Sequence, residues 1–173
     1  MRAAIFTEGS STTSQSTESY SEYFEGSFLS VNTLADELSR CCDTELHILS
    51  ETYGYIRGVD EVKPDPPFDV EEASKHFRDA LLSRLNEFDI VVLLLTTDVF
   101  EEIVTPHWEQ IVENAKPNSI WCIGTSRKAL NSVDLGLLES QHPVLIYQRR
   151  GVARVGREVR EELIEHIRAR LDE

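Results

Sequence analysis

In the stretch Asp89-Ile-Val-Val-Leu-Leu-Leu-Thr96, every position between the two ends is apolar. A strand with no polar alternation has to be covered on both faces, and a parallel sheet lying between two layers of helices provides that cover. The flanking segments fit. Upstream, Val70, Ala73, Phe77, Leu81, Leu85 and Phe88 recur at helical spacing and form one apolar stripe. Asp69 with Glu72 matches an acidic capping box, in which the first carboxylate takes an orphan backbone N–H and the second reaches back. Downstream, residues 97–102 begin a helix. Pro106, with Thr105 as cap, predicts the start of a second helix that ends near Lys116-Pro117.

The alternation continues along the chain. Residues 2–6, 45–50, 118–124 and 143–147 are short apolar runs and read as strands. Helices are expected around residues 28–41, after Gly124 and on through residues 133–138, and over residues 155–171, where Val159, Leu163, Ile167 and Leu171 lie four apart. Alternating strands and helices predict an α/β fold. The expectation is a single three-layer domain over residues 1–173, with about five mostly parallel strands in a Rossmann-like or flavodoxin-like order. Residues 51–68, which contain Gly54, Gly58, Pro64, Pro66 and Pro67, read as a loop too long to be a plain connection.

Bulk properties narrow the class. With 173 residues, 40% of them hydrophobic, the chain can bury one proper core. No apolar run approaches the roughly 20 residues that span a bilayer. The opening Met1-Arg-Ala-Ala-Ile-Phe6 has no long apolar segment of the signal-peptide kind, so a cytoplasmic protein with no membrane partner is expected. Cys41, Cys42 and Cys122 are odd in number and lack zinc-ligand spacing, which predicts reduced thiols and no metal site. Four lysines stand against thirteen arginines at a net charge of −14. An acid-rich, lysine-poor chain of this kind suits a halophilic cytoplasm, the alternative being an ordinary acidic cytosolic protein. No G-x-S-x-G elbow, Walker loop or H-E-x-x-H is present, and no cofactor is expected.

In open parallel sheets, ligands bind beyond the carboxyl ends of the strands, where the strand order reverses. The loops at those ends start at Thr7, Ser50, Thr96, Gly124 and Gln148, and they carry the unusual residues. Residues 7–18 are rich in hydroxyls, and Ser10 and Ser11 could cradle a phosphate or sugar; a polar connection is the alternative. The loop lacks the glycine that a flavin phosphate loop uses for close approach, which argues against flavin. Ser50, Glu51 and Tyr53 follow the second strand. Gly124, Thr125 and Ser126 could offer N–H groups and hydroxyls to an anion at a helix start. Arg149, Arg150, Arg154, Arg157 and Arg160 cluster near the last strand, with Arg127 beside them. Guanidinium forks match phosphate oxygens. The alternative is pairing with nearby carboxylates, which is the role read for Arg157 and Arg160. The candidate anion-binding set is therefore Ser10, Ser11, Ser50, Tyr53, Gly124, Thr125, Ser126, Arg127, Arg149, Arg150 and Arg154, with Glu51 as the candidate acid/base.

Ile48-Leu-Ser-Glu-Thr-Tyr-Gly-Tyr-Ile56, followed by Val62 and Pro67-Phe-Asp69, resembles the I-L-S-x-x-Y-G-L/I … P-Y-D pattern of a family of small α/β proteins of unknown function. That family is distantly similar to YaaA-type peroxide-stress proteins and to a domain of archaeal tRNA-guanine modification enzymes. The Ser19-Tyr-Ser21 region and Phe28 loosely resemble its L-Y-x-S-x-x-F segment. The chain departs from the pattern in lacking the Cys and Lys near the end of the first strand, and in having Phe68 where the family has tyrosine. The resemblance implies the fold and a link to nucleobase or nucleic-acid metabolism. The leading expectation is a domain that binds a phosphate-bearing small molecule or nucleic acid, with the base near Tyr53 and Tyr55. If it is an enzyme, the reaction expected is nucleoside or nucleobase transfer or hydrolysis. The alternatives are a non-catalytic nucleic-acid-binding or regulatory protein and a partner-binding scaffold.

Overall fold

A computed structural model describes residues 1–16, 18–63, 68–148 and 154–172. Six strands form one sheet: β1 (Arg2–Glu8), β2 (Asp43–Ser50), β3 (Gly54–Arg57), β4 (Ile90–Leu94), β5 (Ile120–Thr125) and β6 (Val144–Gln148). Their spatial order is β3-β2-β1-β4-β5-β6. All neighbours are parallel except β2 and β3. The uninterrupted apolar run is β4, buried along its whole length between β1 and β5.

The helices are α1 (Tyr20–Tyr23), α2 (Leu29–Ser39), α3 (Val70–Arg84), α4 (Thr97–Val99), α5 (Trp108–Asn114), α6 (Arg127–Asn131), α7 (Leu135–Glu139) and α8 (Arg157–Leu171). Successive strand side chains point to opposite faces, so each central strand feeds two cores. Ile5, Ile48, Val92 and Cys122 pack with Leu34 and Leu38 of α2 and with Leu163 and Ile167 of α8. Phe6, Val91, Leu93 and Trp121 pack with Phe77 and Leu81 of α3, Ile111 of α5 and Leu138 of α7. Two helical layers around one mostly parallel sheet account for a strand with no polar position. Among the described residues, no helix is long and apolar enough to cross a membrane.

The structure departs from the sequence expectation in two places. The strand beyond the expected five is β3, inside the stretch read as a loop. Ser50 pairs with Gly54 and His47 with Arg57, across a turn of three residues. The Ser50 hydroxyl accepts the backbone N–H groups of Thr52 and Tyr53, each at 3.2 Å. Gly54 closes the turn at φ +73°, a left-handed conformation that glycine adopts without strain. The second departure is at Pro106, which starts no new helix. Residues 97–114 form one continuous helical run, with a π-turn over Phe100–Val104 and a 3-10 turn over Thr105–His107. Pro106 has no N–H to donate. The widened turn takes up that loss, and the Thr105 N–H reaches back to the Phe100 carbonyl. The Thr105 hydroxyl meets Ser132 Oγ at 2.7 Å and does not cap a helix.

The hairpin edge is fastened by charge. The Glu45 side chain is 13% exposed and takes both guanidinium nitrogens of Arg84 at 2.8 Å, Arg2 at 2.8 Å and Arg57 of β3 at 3.1 Å. His47 Nε2 lies 3.1 Å from the same carboxylate, and its Nδ1 lies 2.7 Å from the Tyr55 hydroxyl. Burial alone would push the Glu45 carboxyl up; hydrogen bonds from Arg84 and Arg2 and the charges of Arg57 and Arg84 outweigh it and hold it at about 2. Burial, aided by the Arg57 charge, pushes the His47 imidazole down to about 4. The network therefore joins β1, β2, β3 and α3 through one carboxylate.

Candidate functional site

Strand order reverses at β1, which has β2 on one side and β4 on the other. The connections that leave β1 and β4 therefore diverge and open a crevice at the carboxyl ends. A cavity of about 570 Å³ lies there. Its walls come from Glu8 at the end of β1 and residues 9–13 after it, Ser50 at the end of β2 and the turn residues 51–53, Thr96 before α4, Tyr23 and Phe24 at the end of α1, and Arg154 before α8. Register sets the depth: Glu8 lies level with Leu49 of β2 and one residue beyond the Thr7–Leu94 pairing with β4.

Glu8 supplies the acid at the base of this crevice. Its carboxylate accepts the backbone N–H of Thr96 at 2.6 Å and the Thr96 hydroxyl at 3.0 Å. Burial raises its pKa. The Thr96 hydrogen bonds and the Arg154 charge act against the rise, the nearby Glu51 adds to it, and the balance stays upward. Glu8 thus holds its proton to higher pH than an ordinary carboxylate, which suits it to proton transfer.

Arg154 is only 9% exposed. Its Nε donates to the Ser27 carbonyl at 3.1 Å, Nη1 to Thr7 Oγ1 at 3.2 Å and Nη2 to the Glu8 carbonyl at 3.4 Å, and the guanidinium lies 5.7 Å from the centre of the Phe28 ring. Burial lowers its pKa and the Glu8 charge opposes that shift. An arginine remains a cation at any ordinary pH, so this one ties the end of β1 to the turn before α2 and brings a positive charge to the cavity wall.

The hydroxyl-rich loop is folded, not a slack connection. Ser10 Oγ lies 2.8 Å from the Thr12 carbonyl and 2.7 Å from the Glu25 carbonyl. Thr13 bridges Phe24, and the Glu25 N–H donates to the Thr12 carbonyl at 2.8 Å. Ser11, Thr12 and Thr13 are left exposed along the rim. Opposite them, the Tyr53 hydroxyl donates to the Tyr23 hydroxyl at 3.2 Å, with ring centres 5.6 Å apart and edge to face.

Of the candidate residues, Ser10, Ser11, Ser50, Glu51, Tyr53 and Arg154 line this cavity. Gly124, Thr125, Ser126 and Arg127 do not, and each has a local explanation. A Cβ on Gly124 would sit 2.8 Å from Leu94 Cδ2 and 3.0 Å from the Arg154 carbonyl oxygen, so glycine there lets the Arg154 backbone cross the end of β5. Thr125 is buried and donates to the Leu95 carbonyl at 2.6 Å. Ser126 caps α6 by accepting the Ala129 N–H at 3.2 Å and meets the Thr97 hydroxyl at 2.6 Å. Arg127 is exposed and forms no ion pair among the described residues. Arg149 and Arg150 lie outside the described residues. Arg157 pairs with Glu161 at 2.6 Å and Arg160 with Glu37 at 3.1 Å. Tyr55 bonds His47 and packs beside Phe77 on the opposite sheet face from Tyr53.

Glu8, Thr96 and Tyr23 also line the cavity and stand outside the candidate set. The available signal was Glu8-Gly9 directly after the first apolar run, at a strand end already identified as a site loop. Among the described residues, no group of three or more His, Cys, Asp or Glu is placed to hold a metal ion. No protein family, curated protein or solved structure matches the chain.

Proposed function

We propose that the chain binds a nucleotide- or nucleic-acid-derived small ligand in the cavity over β1, β2 and β4. The observation that carries this is the convergence of an acid with a raised pKa, a buried arginine and an aromatic pair on one cavity at the reversal of strand order. Perturbed titratable groups in a cleft are the usual mark of a functional site. With β3 set aside, the five parallel strands run in the flavodoxin-like order, in keeping with the fold expected of this chain. The motif that resembles the small α/β family spans β2, the turn and β3, and so builds one cavity wall.

The reaction we propose is transfer or hydrolysis at a glycosidic bond. Such chemistry uses two carboxyls in different environments, one protonated and one charged. Glu8 takes the acid/base role first read for Glu51, and Glu51 is the second carboxylate. A nucleic-acid-binding surface is less well supported, because Arg154, one of its candidate arginines, is buried and turned towards Ser27, Thr7 and Glu8. We also read the net charge of −14 as adaptation to concentrated salt inside a cell, which predicts a melting temperature that rises into multimolar KCl.

The test is a thermal-shift screen of nucleosides, nucleotides and short oligonucleotides, followed by chromatography for released nucleobase. A ligand whose release reaction is lost in Glu8→Gln, with melting unchanged, supports the proposal. A protein that no member of the panel stabilises refutes it.

A further inference from the structure

We infer that the cavity takes an uncharged ribonucleoside in preference to its phosphorylated forms, with Glu51 accepting hydrogens from the sugar hydroxyls; this rests on the ligand class proposed above. The wall chemistry points there. Among the described lining residues Arg154 is the only cation, against Glu8 and Glu51. Three nitrogens of that arginine are directed inward, at the Ser27 and Glu8 carbonyls and at Thr7 Oγ1. A guanidinium committed in this way does not present the open fork that grips phosphate oxygens. Glu51 is exposed at the mouth, where its charge repels an arriving anion, and Glu8 adds to that repulsion whenever it is ionised.

The remaining wall is suited to a neutral, hydroxyl-bearing molecule with an aromatic ring. Ser11, Thr12, Thr13 and Thr52 carry exposed hydroxyls that can both donate and accept. Tyr23 and Tyr53 provide ring surface for a base. Glu51 is the first residue after β2. In doubly wound dinucleotide sites, an acid after the second strand accepts the ribose hydroxyls and disfavours a phosphate at that position. The volume of about 570 Å³ is within the roughly 300–1,000 Å³ of small-molecule sites.

The experiment is calorimetry of the full chain with each common ribonucleoside, its 2′-deoxy form, and its 5′-mono- and triphosphate, at one fixed KCl concentration. We expect the ribonucleoside to bind best, the deoxy form more weakly, and the triphosphate at least about tenfold more weakly than the nucleoside. Glu51→Gln should shrink both differences, while its melting temperature reports that the fold is intact. A nucleotide that binds as tightly as its nucleoside overturns this inference and leaves the broader ligand class standing. If neither nucleosides nor nucleotides bind, the ligand class itself falls.

Discussion

Glu45→Gln replaces the carboxylate at which Arg2, Arg57 and Arg84 converge with a neutral amide. The folded protein holds this carboxyl at about 2, against an ordinary 4.5, which is roughly 3 kcal/mol of preference for the charged form. Removing one partner from a buried pair costs roughly 3–5 kcal/mol. The half-exposed Arg2 and the remaining Glu87, which still takes Arg2 at 2.6 Å and Arg84 at 3.1 Å, favour the lower end. We expect a loss of about 3 kcal/mol, or a melting temperature lower by roughly 6–12 °C. The pH dependence has a definite sign. Because the folded pKa lies below the unfolded one, the contribution is present above about pH 4.5 and is lost as pH falls towards 2. Urea unfolding followed by circular dichroism should therefore show the parent losing stability across that interval, and the variant should lack that part of the slope. Since Arg57 anchors β3, and the β2–β3 turn carries Glu51 and Tyr53, ligand affinity should fall as well. A variant within about 0.5 kcal/mol of the parent, with the acid slope intact, would show that the network is only a solvated surface cluster.

Three further outcomes are expected. His47 is held neutral down to about 4, so the unfolded state takes up a proton first; its contribution is complete above about pH 6.5 and is lost as pH falls to 4, and His47→Gln should flatten the urea midpoint over that range. Gly124→Ala places a methyl against Leu94 and the Arg154 backbone, which should cost about 1–3 kcal/mol in denaturant unfolding and weaken ligand binding through the displaced Arg154. Burial pushes the thiols of Cys42 and Cys122 up to about 12, so iodoacetamide on the native protein near neutral pH should label the partly exposed Cys41 first, as read by peptide mass spectrometry.

What could be read without coordinates was encoded locally. The run from Ile90 to Leu95 announced a strand buried on both faces, because a polar residue at any of those positions would have been stranded. The stripe of α3 and its cap also lie within one short stretch: Asp69 Oδ1 accepts the N–H groups of Glu71 and Glu72 at 2.8 and 3.2 Å. Ser10, Ser11, Ser50, Glu51 and Tyr53 could be placed near one another at the sheet edge because the rule about strand ends needs only the positions of the strands.

The rest depended on distant partners. Gly54-Tyr-Ile-Arg57 is too short to show a period, and its pairing with β2 is what makes it a strand. Gly124 looked like a phosphate-binding glycine, but the chain that crosses it lies thirty positions away, at Arg154. Glu8 has no sequence neighbour that reports its environment. Burial at the base of the crevice raises its pKa, and the groups that oppose the rise are Thr96, 88 residues away, and Arg154, 146 residues away. Periodicity records which face of an element is buried. A pKa depends on which charges and dipoles lie within a few ångströms, and only the strand order brings those together.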